Sequence, residues 1–209
     1  MSKVMKTVPA ILRRAVIRFR DDCRGLAAVE FAFIMPLMLV MFFGTVEFSS
    51  GVAVDRKVTL MARTLSDLTS QAIQVSDADL TAFFTASIGI MTPYDASPTK
   101  ATLSEIYVDA TKIAKVKWSK AATVASGATQ ASLTTSTRTV GQDVSSIIPT
   151  ALLVPNTYLI FSEISYKYVP TIGYVMSKTG LTLSDVAYTR PRQSLCVIYP
   201  ATAPLPPCP

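Results

Sequence analysis

The pattern of hydrophobic positions divides the chain into three regimes. In the first, residues 31–46 contain no charge, and the run extends back to Leu26 with Glu30 as its one charged residue. Those 21 residues make about 31 Å of helix, enough to cross a hydrocarbon core of roughly 30 Å. A soluble helix carries its apolar residues as a stripe, whereas this run is apolar all round. It predicts a transmembrane helix over 26–48.

The second regime is a stripe. Val54, Val58, Met61, Leu65, Leu68 and Ala72 recur at spacings of three and four, with Arg56, Lys57, Arg63, Asp67 and Gln71 off it. This predicts an amphipathic stalk helix over 49–75. Two coverings for the stripe stand open: the chain's own globular part, or a helix of a partner subunit. Ser76 with Asp79 three residues on is a capping-box pattern, opening a short helix through Phe83, Phe84 and Ile88. Asp77 and Asp79 suit the start of that helix as N-terminal charges. Residues 92–98 end it as a turn-rich link.

The third regime has period two. Leu103, Ile106 and Val108 predict a strand over about 101–109. Ala114, Val116 and Trp118, alternating with Lys115 and Lys117, predict a second with one buried face, and the short gap between them suits a hairpin. Residues 119–141 are rich in Ser, Thr, Ala and Gly and read as an exposed loop. Residues 142–153 predict a short helix broken by Pro149. A third strand places Tyr158, Ile160, Ile164, Tyr166 and Tyr168 on one face and Leu159, Phe161 and Glu163 on the other, and 181–190 supply a fourth. Glu163 and Arg190 are then placed to form a structural ion pair across the sheet. The tyrosines 158, 166, 168, 174 and 188 form either packing or a sugar- or surface-binding face.

Charge orients the span. Residues 1–25 hold Lys3, Lys6, Arg13, Arg14, Arg18, Arg20 and Arg24 against Asp21 and Asp22, which is +5 of the chain's formal +6. The positive-inside rule puts this arm in the cytoplasm and, with no second spanning run after it, the rest outside. The pI of 9.3 therefore reflects topology and attraction to the lipid bilayer, and does not indicate nucleic-acid binding. Cys23 lies on the cytoplasmic flank. Cys196 and Cys208 lie outside in a Pro-rich tail, where an even pair is most simply a disulfide, with two free thiols as the alternative.

Glu30 stands about four residues inside the apolar run, where a charge costs up to roughly 3 kcal/mol. It either snorkels to the headgroups or has a use. Gly25 precedes it by five positions, after a basic leader. At Arg24-Gly25-Leu26-Ala27-Ala28-Val29-Glu30-Phe31-Ala32, then Pro36 and Gly44-Thr45-Val46-Glu47-Phe48, the chain resembles prepilins, and more narrowly the TadE-like family of minor pseudopilins of the tight-adherence (Flp pilus) machinery. Val116–Ala121 in sequence, then 163–170 and 188–192, resemble that family's strands. The resemblance implies cleavage by a prepilin peptidase between Gly25 and Leu26. It also implies a place in the bacterial inner membrane with the C-terminal domain periplasmic, and partners among other pilins and inner-membrane pilus assembly proteins. The leader, at 25 residues, is long for a prepilin, and Cys23 beside the cut is a further departure.

The motif has a physical logic of its own. Cutting after Gly25 would expose an amine on Leu26 one turn from Glu30. Between packed helices, that carboxylate could meet the amine of a neighbour and fix axial register. Ala28 and Ala32 would let helix backbones approach closely, and Pro36 is expected to bend the span. A competing cut after Ala53, at Gly51-Val52-Ala53, would need an unusually long signal peptide.

Enzyme chemistry finds little to work with. The chain has no histidine, which removes Ser-His and Cys-His triads and imidazole metal sites. No P-loop or dinucleotide fingerprint occurs. The expectation is no enzyme, no cofactor and no metal site. The predicted fold class is α+β: a long N-terminal transmembrane and stalk helix followed by a small antiparallel sheet, as in pilins. Its divisions are a leader 1–25, a span 26–48, a stalk 49–75, an outer domain 76–195 and a disulfide-closed tail 196–209. The expected function is structural, in assembly of a type IV-like pilus. The alternative is a permanently anchored, adhesin-like binding module.

Overall fold

A computed structural model describes residues 24–170 and 179–208. The basic leader up to Cys23, and Tyr174, lie outside the described residues. Helix α1 spans Arg24–Ser70, and α2 spans Asp77–Ile88. Five strands follow: β1 Thr99–Val108, β2 Ala114–Val124, β3 Ala131–Thr134, β4 Thr157–Tyr168 and β5 Leu181–Thr189. They form one antiparallel sheet in the order β3-β2-β1-β4-β5. The expected α+β plan, a long apolar N-terminal helix and a small antiparallel sheet, is what the structure shows.

The chain divides into two compact units, Met1–Val46 and Glu47–Pro209, and α1 contributes to both. In the first unit α1 runs unbroken through Pro36. Its apolar side chains point outward and stay uncovered: Phe33 is 79% exposed and Met41 66%. This is one helix long and apolar enough to cross a membrane.

In the second unit the stripe is covered by the chain itself. Val54, Val58, Met61 and Leu65 are fully buried in one core with Leu80, Phe84, Leu103, Trp118, Ile160 and Ile164. Of the two coverings left open for the stripe, the chain's own globular part is the one seen, and the stalk is the backing helix of the sheet. It also stops at Ser70, short of 75. Thr69 donates its hydroxyl to the Leu65 carbonyl at 2.9 Å and Ser70 to that of Asp67 at 2.7 Å, local bonds that compete with continuation of the helix. Capping of α2 is as expected: the Asp79 backbone N–H donates to the Ser76 hydroxyl, and the Asp79 carboxylate accepts from the Ser76 backbone.

Three sequence expectations give way in the sheet. Residues 119–141 are not all loop, because β2 continues to Val124 and β3 pairs back on it. Small side chains at Ala121 and Ala122 hid the strand, yet backbone pairing does not need large ones. Residues 142–153 hold only a short 3-10 turn, Thr150–Leu152. The expected common face of Ala114, Val116 and Trp118 is split. Glu105 pairs with Trp118 but Ile106 pairs with Val116, so Lys117 is an extra residue, a β-bulge that reverses the alternation. Ala114 and Val116 pack on the outer core with Phe161, while Trp118 joins the core beneath α1.

The β4 faces fall as predicted. Ile160, Ile164, Tyr166 and Tyr168 line the α1 side, and Leu159 and Phe161 line the other, under Val144 and Ile148. Tyr158, Tyr166 and Tyr168 are buried, and Tyr188 stacks on Phe161 at 4.8 Å between centroids. Among the described tyrosines of that group, packing is the role seen.

Candidate functional site

The segment singled out by sequence opens α1. Gly25, Leu26, Ala28, Glu30, Ala32 and Pro36 all lie on exposed helix. Four residues of helix bring Leu26 and Glu30 onto one side, about 6 Å apart along the axis. Ala28 and Ala32 form a second pair roughly half a turn of the helix away from them. Among the described residues, no side chain occupies the space a Cβ at Gly25 would take, and the backbone there is ordinary helix. Neither packing among the described residues nor backbone conformation requires a glycine at this position.

Further along α1, polar contacts lock the helix to the sheet. The Ser162 hydroxyl donates to the Ala62 carbonyl at 2.6 Å, and the Ser66 and Thr189 hydroxyls share a bond of 2.6 Å. The first is buried and the second part-buried, and together they fix the axial position of α1 that apolar packing alone would leave loose. A cleft of about 580 Å³ opens between α1 and β5, lined by Arg63, Thr64, Asp67, Leu68, Val186 and Tyr188 among others. Glu47, the first residue of this unit, is 3% exposed. Tyr168 is its neighbour. Burial first, and the nearby Glu47 carboxylate second, hold the Tyr168 hydroxyl above the usual phenol range.

The expected Glu163–Arg190 pair does not form. Register sets Glu163 opposite Val186, and Arg190 lies beyond the end of β5. The Glu163 carboxylate is gripped instead by both Nε and Nη2 of Arg138. That guanidinium also lies over the Phe161 ring, 5.2 Å from its centroid. Arg138 stood in a stretch read as loop, so sequence gave no reason to choose it.

Sequence also missed a second arrangement, at the C-terminal tail. The tail is part of the domain: Ile198 bonds to Ile73 and Val75, Cys196 and Val197 are fully buried, and Cys196 is joined to Cys208. Glu105 and Trp118, opposite each other on β1 and β2, clasp the Val197 peptide from both ends. The Val197 N–H donates to Glu105 Oε1, and Trp118 Nε1 donates to the Val197 carbonyl at 2.7 Å. Glu105 is 1% exposed, and its Oε2 has no hydrogen-bond partner among the described residues. Burial pushes its pKa up from 4.5 to about 7, against the opposing pull of the Val197 N–H, Trp118 and Lys117. Closing the 12-residue loop between the cysteines is worth about 3 kcal/mol on the chain-entropy model. Protein purified without reductant is expected to resist alkylation at both Cys196 and Cys208 and to gain two labels after reduction. Full labelling beforehand would show the pair unformed.

A single exposed apolar helix leading into a compact α+β unit defines the class: the helix suggests a protein anchored by one membrane pass. Residues 25–65 match the model of the family described as TadE-like protein. This is the family that the sequence resembles, and the matched stretch runs from Gly25 through Glu30 to Leu65 in the core. The later strands that share the resemblance lie outside it. No curated protein and no solved structure matches the chain. The TadE-like segment fits a protein associated with the Tad pilus.

Proposed function

We propose that this chain is a minor pilin or pseudopilin, a structural component in assembly of a Tad-type pilus. It is held in the bacterial inner membrane with its N-terminus cytoplasmic and its sheet domain periplasmic. The observation that carries the reading is Gly25 standing five residues before Glu30 at the head of an uncovered apolar helix, inside the family match. A glycine that packing among the described residues does not need is explained by a reader from outside, and a prepilin peptidase is such a reader. Its cut would leave a Leu26 amine on the same side of α1 as Glu30. The role is structural and not catalytic, with other pilins and inner-membrane assembly proteins as partners.

The charge pair explains why a carboxylate is kept in the apolar run. In a bundle, Glu30 of one helix meets the Leu26 amine of the next, and an axial slip strands both charges in lipid. The mature protein is expected to begin at Leu26 by N-terminal mass spectrometry. Glu30→Ala should leave insertion and the disulfide intact but cut crosslinking to pilus components sharply, and Glu30→Gln should behave like it because charge is what matters. Mature protein beginning at Met1, or wild-type crosslinking by both variants, would refute the proposal.

A further inference from the structure

The two edges of the sheet differ. β3 has four residues, and its first backbone N–H, at Ala131, donates to the Thr85 hydroxyl of α2 at 3.1 Å. β5 has nine residues, Leu181–Thr189, and pairs with β4 without a break in register. It lacks the usual guards of an exposed edge, having no lysine, proline or bulge. The Val186 N–H donates to Asp185 Oδ1 at 2.8 Å, so it points away from β4. Antiparallel alternation then turns the N–H and C=O groups of Ser184 and Tyr188 outward with it. Among the described residues, none of these three residues has a backbone partner on that side.

The cleft between α1 and β5 runs along this edge. Ser162, bonded to the Ala62 carbonyl, is the register partner of Ala187, and Ser66 is bonded to Thr189. Arg63 therefore stands over the rows of Ala187 and Thr189, where the small Ala187 side chain leaves the space open. Arg63 is exposed, as is Arg190 just past the strand, and neither forms an ion pair among the described residues. The acids beside them are engaged. Asp67 accepts from Arg192 and Gln71, and Asp185 accepts from the edge N–H. The charge left open along the edge is thus cationic. Val186 lies seven residues past Thr179, about 23 Å of strand. The nine links from Pro170 to Thr179 reach out and back by at most about 16 Å, so the connection from β4 to β5 is too short to cover the cleft.

We propose that the β5 edge takes an added antiparallel strand from a partner protein, an extended segment with an acidic residue directly before an apolar one. The apolar side chain lies beside Val186, which is 45% exposed on the face away from α1. The acidic one, on the other face, lies opposite Ala187 in the cleft and meets Arg63. The incoming carbonyl takes the Val186 N–H from Asp185, and the incoming N–H donates to the Val186 carbonyl. An acid on the other side of the apolar residue would stand opposite Asp185, where like charges repel, so the pattern has a direction. The occupant is an extended polypeptide because a row of free backbone groups is matched by another backbone. Its acid follows from the open charge of Arg63. The inference depends neither on the anchor nor on cleavage after Gly25.

The test uses the full chain in detergent micelles and a short peptide of alternating threonine and valine, with one glutamate before its central valine. On adding the peptide, amide exchange read by nuclear magnetic resonance should slow several-fold at Ser184, Val186 and Tyr188. It should stay unchanged at Asp185 and Ala187, whose N–H groups face β4. A peptide with lysine in place of the glutamate should bind several-fold more weakly, and Arg63→Glu should invert that preference. N-methylation of the central valine removes the donor to the Val186 carbonyl and should abolish binding. Val186→Pro should do the same from the protein's side, and where that variant does not fold the methylated peptide carries the comparison. No slowing at the three outward amides at millimolar peptide would overturn the proposal, as would undiminished binding of the methylated peptide. Slowing that needs no peptide and grows with protein concentration would overturn it in favour of a second copy on the edge. Equal affinity for the two peptides in wild type and Arg63→Glu would overturn the role given to Arg63.

Discussion

Trp118→Ala is expected to destabilise the sheet domain by about 3–5 kcal/mol, the cost of emptying a buried aromatic site. The indole is 6% exposed and packs in the core beneath α1. It also lies 5.7 Å from the Tyr199 ring, so its loss reaches into the tail. The variant should also free the tail, because Val197 would lose the donor to its buried carbonyl. Trp118→Phe separates the two effects. It keeps most of the ring and strands the carbonyl, for a cost of about 1–3 kcal/mol. Urea unfolding of the full chain in detergent, followed by far-ultraviolet circular dichroism, measures both. The disulfide should also be reduced faster in both variants, since the Val197 peptide beside Cys196 is then held only by its N–H bond to Glu105. A cost under about 1 kcal/mol for Trp118→Ala would mean that the indole is not packed in this core.

Glu105 should make the domain less stable as the pH rises from 4.5 toward neutrality. A carboxyl whose folded pKa exceeds its unfolded one binds its proton more tightly in the fold. Its stabilising contribution is full below 4.5, declines as pH rises and is lost above about 7. Across that interval, at about 1.4 kcal/mol per pH unit, ionisation costs the fold roughly 3 kcal/mol. The carboxylates of Asp77 and Asp79 act with the opposite sign. Their pKa values are lowered, chiefly by side-chain hydrogen bonds from Tyr199 and Ser76, so their contribution is lost only in more acid solution. Glu105→Gln keeps an acceptor for the Val197 N–H and removes the titration. The difference in stability between wild type and variant should therefore swing toward the variant by roughly 3 kcal/mol between pH 4.5 and 8. The chain's one tryptophan, Trp118, reports unfolding of the clasp directly. Parallel pH profiles for the two proteins would show that Glu105 does not titrate in this range.

The sequence placed Trp118 on a buried strand face without showing the clasp it makes, and it left Glu105 unmarked. Glu105 is one carboxylate among fourteen acids, on a strand of mixed alternation. What distinguishes it is a backbone N–H from residue 197, far along the chain. Arg138 is similar: it sat in a Ser- and Thr-rich stretch, and the Arg190 favoured by strand counting lies past the end of β5. The cysteine pair was legible because two cysteines in one short Pro-rich tail leave few alternatives, and the capping box because its partners are three residues apart.

By itself the sequence determined what depends on near neighbours: the apolar run and its length, the Gly25–Glu30 spacing, the helical stripe, the cap of α2, and strands with strong period two. Each is a property of a few turns or of one strand, where side-chain period and local hydrogen bonding decide the outcome. Tertiary structure alone decided what covers the stripe, where α1 stops and which arginine Glu163 meets. It also decided that the small-residue stretch after Trp118 is strand, since β1 and β3 supply its backbone partners. The bulge at Lys117 is the sharpest case. The local alternation of Ala114, Val116 and Trp118 is regular, yet the indole lies on the opposite side of the sheet from its predicted neighbours. One extra residue against the pairing of β1 reverses every side chain beyond it, and only the partner strand fixes where that residue falls.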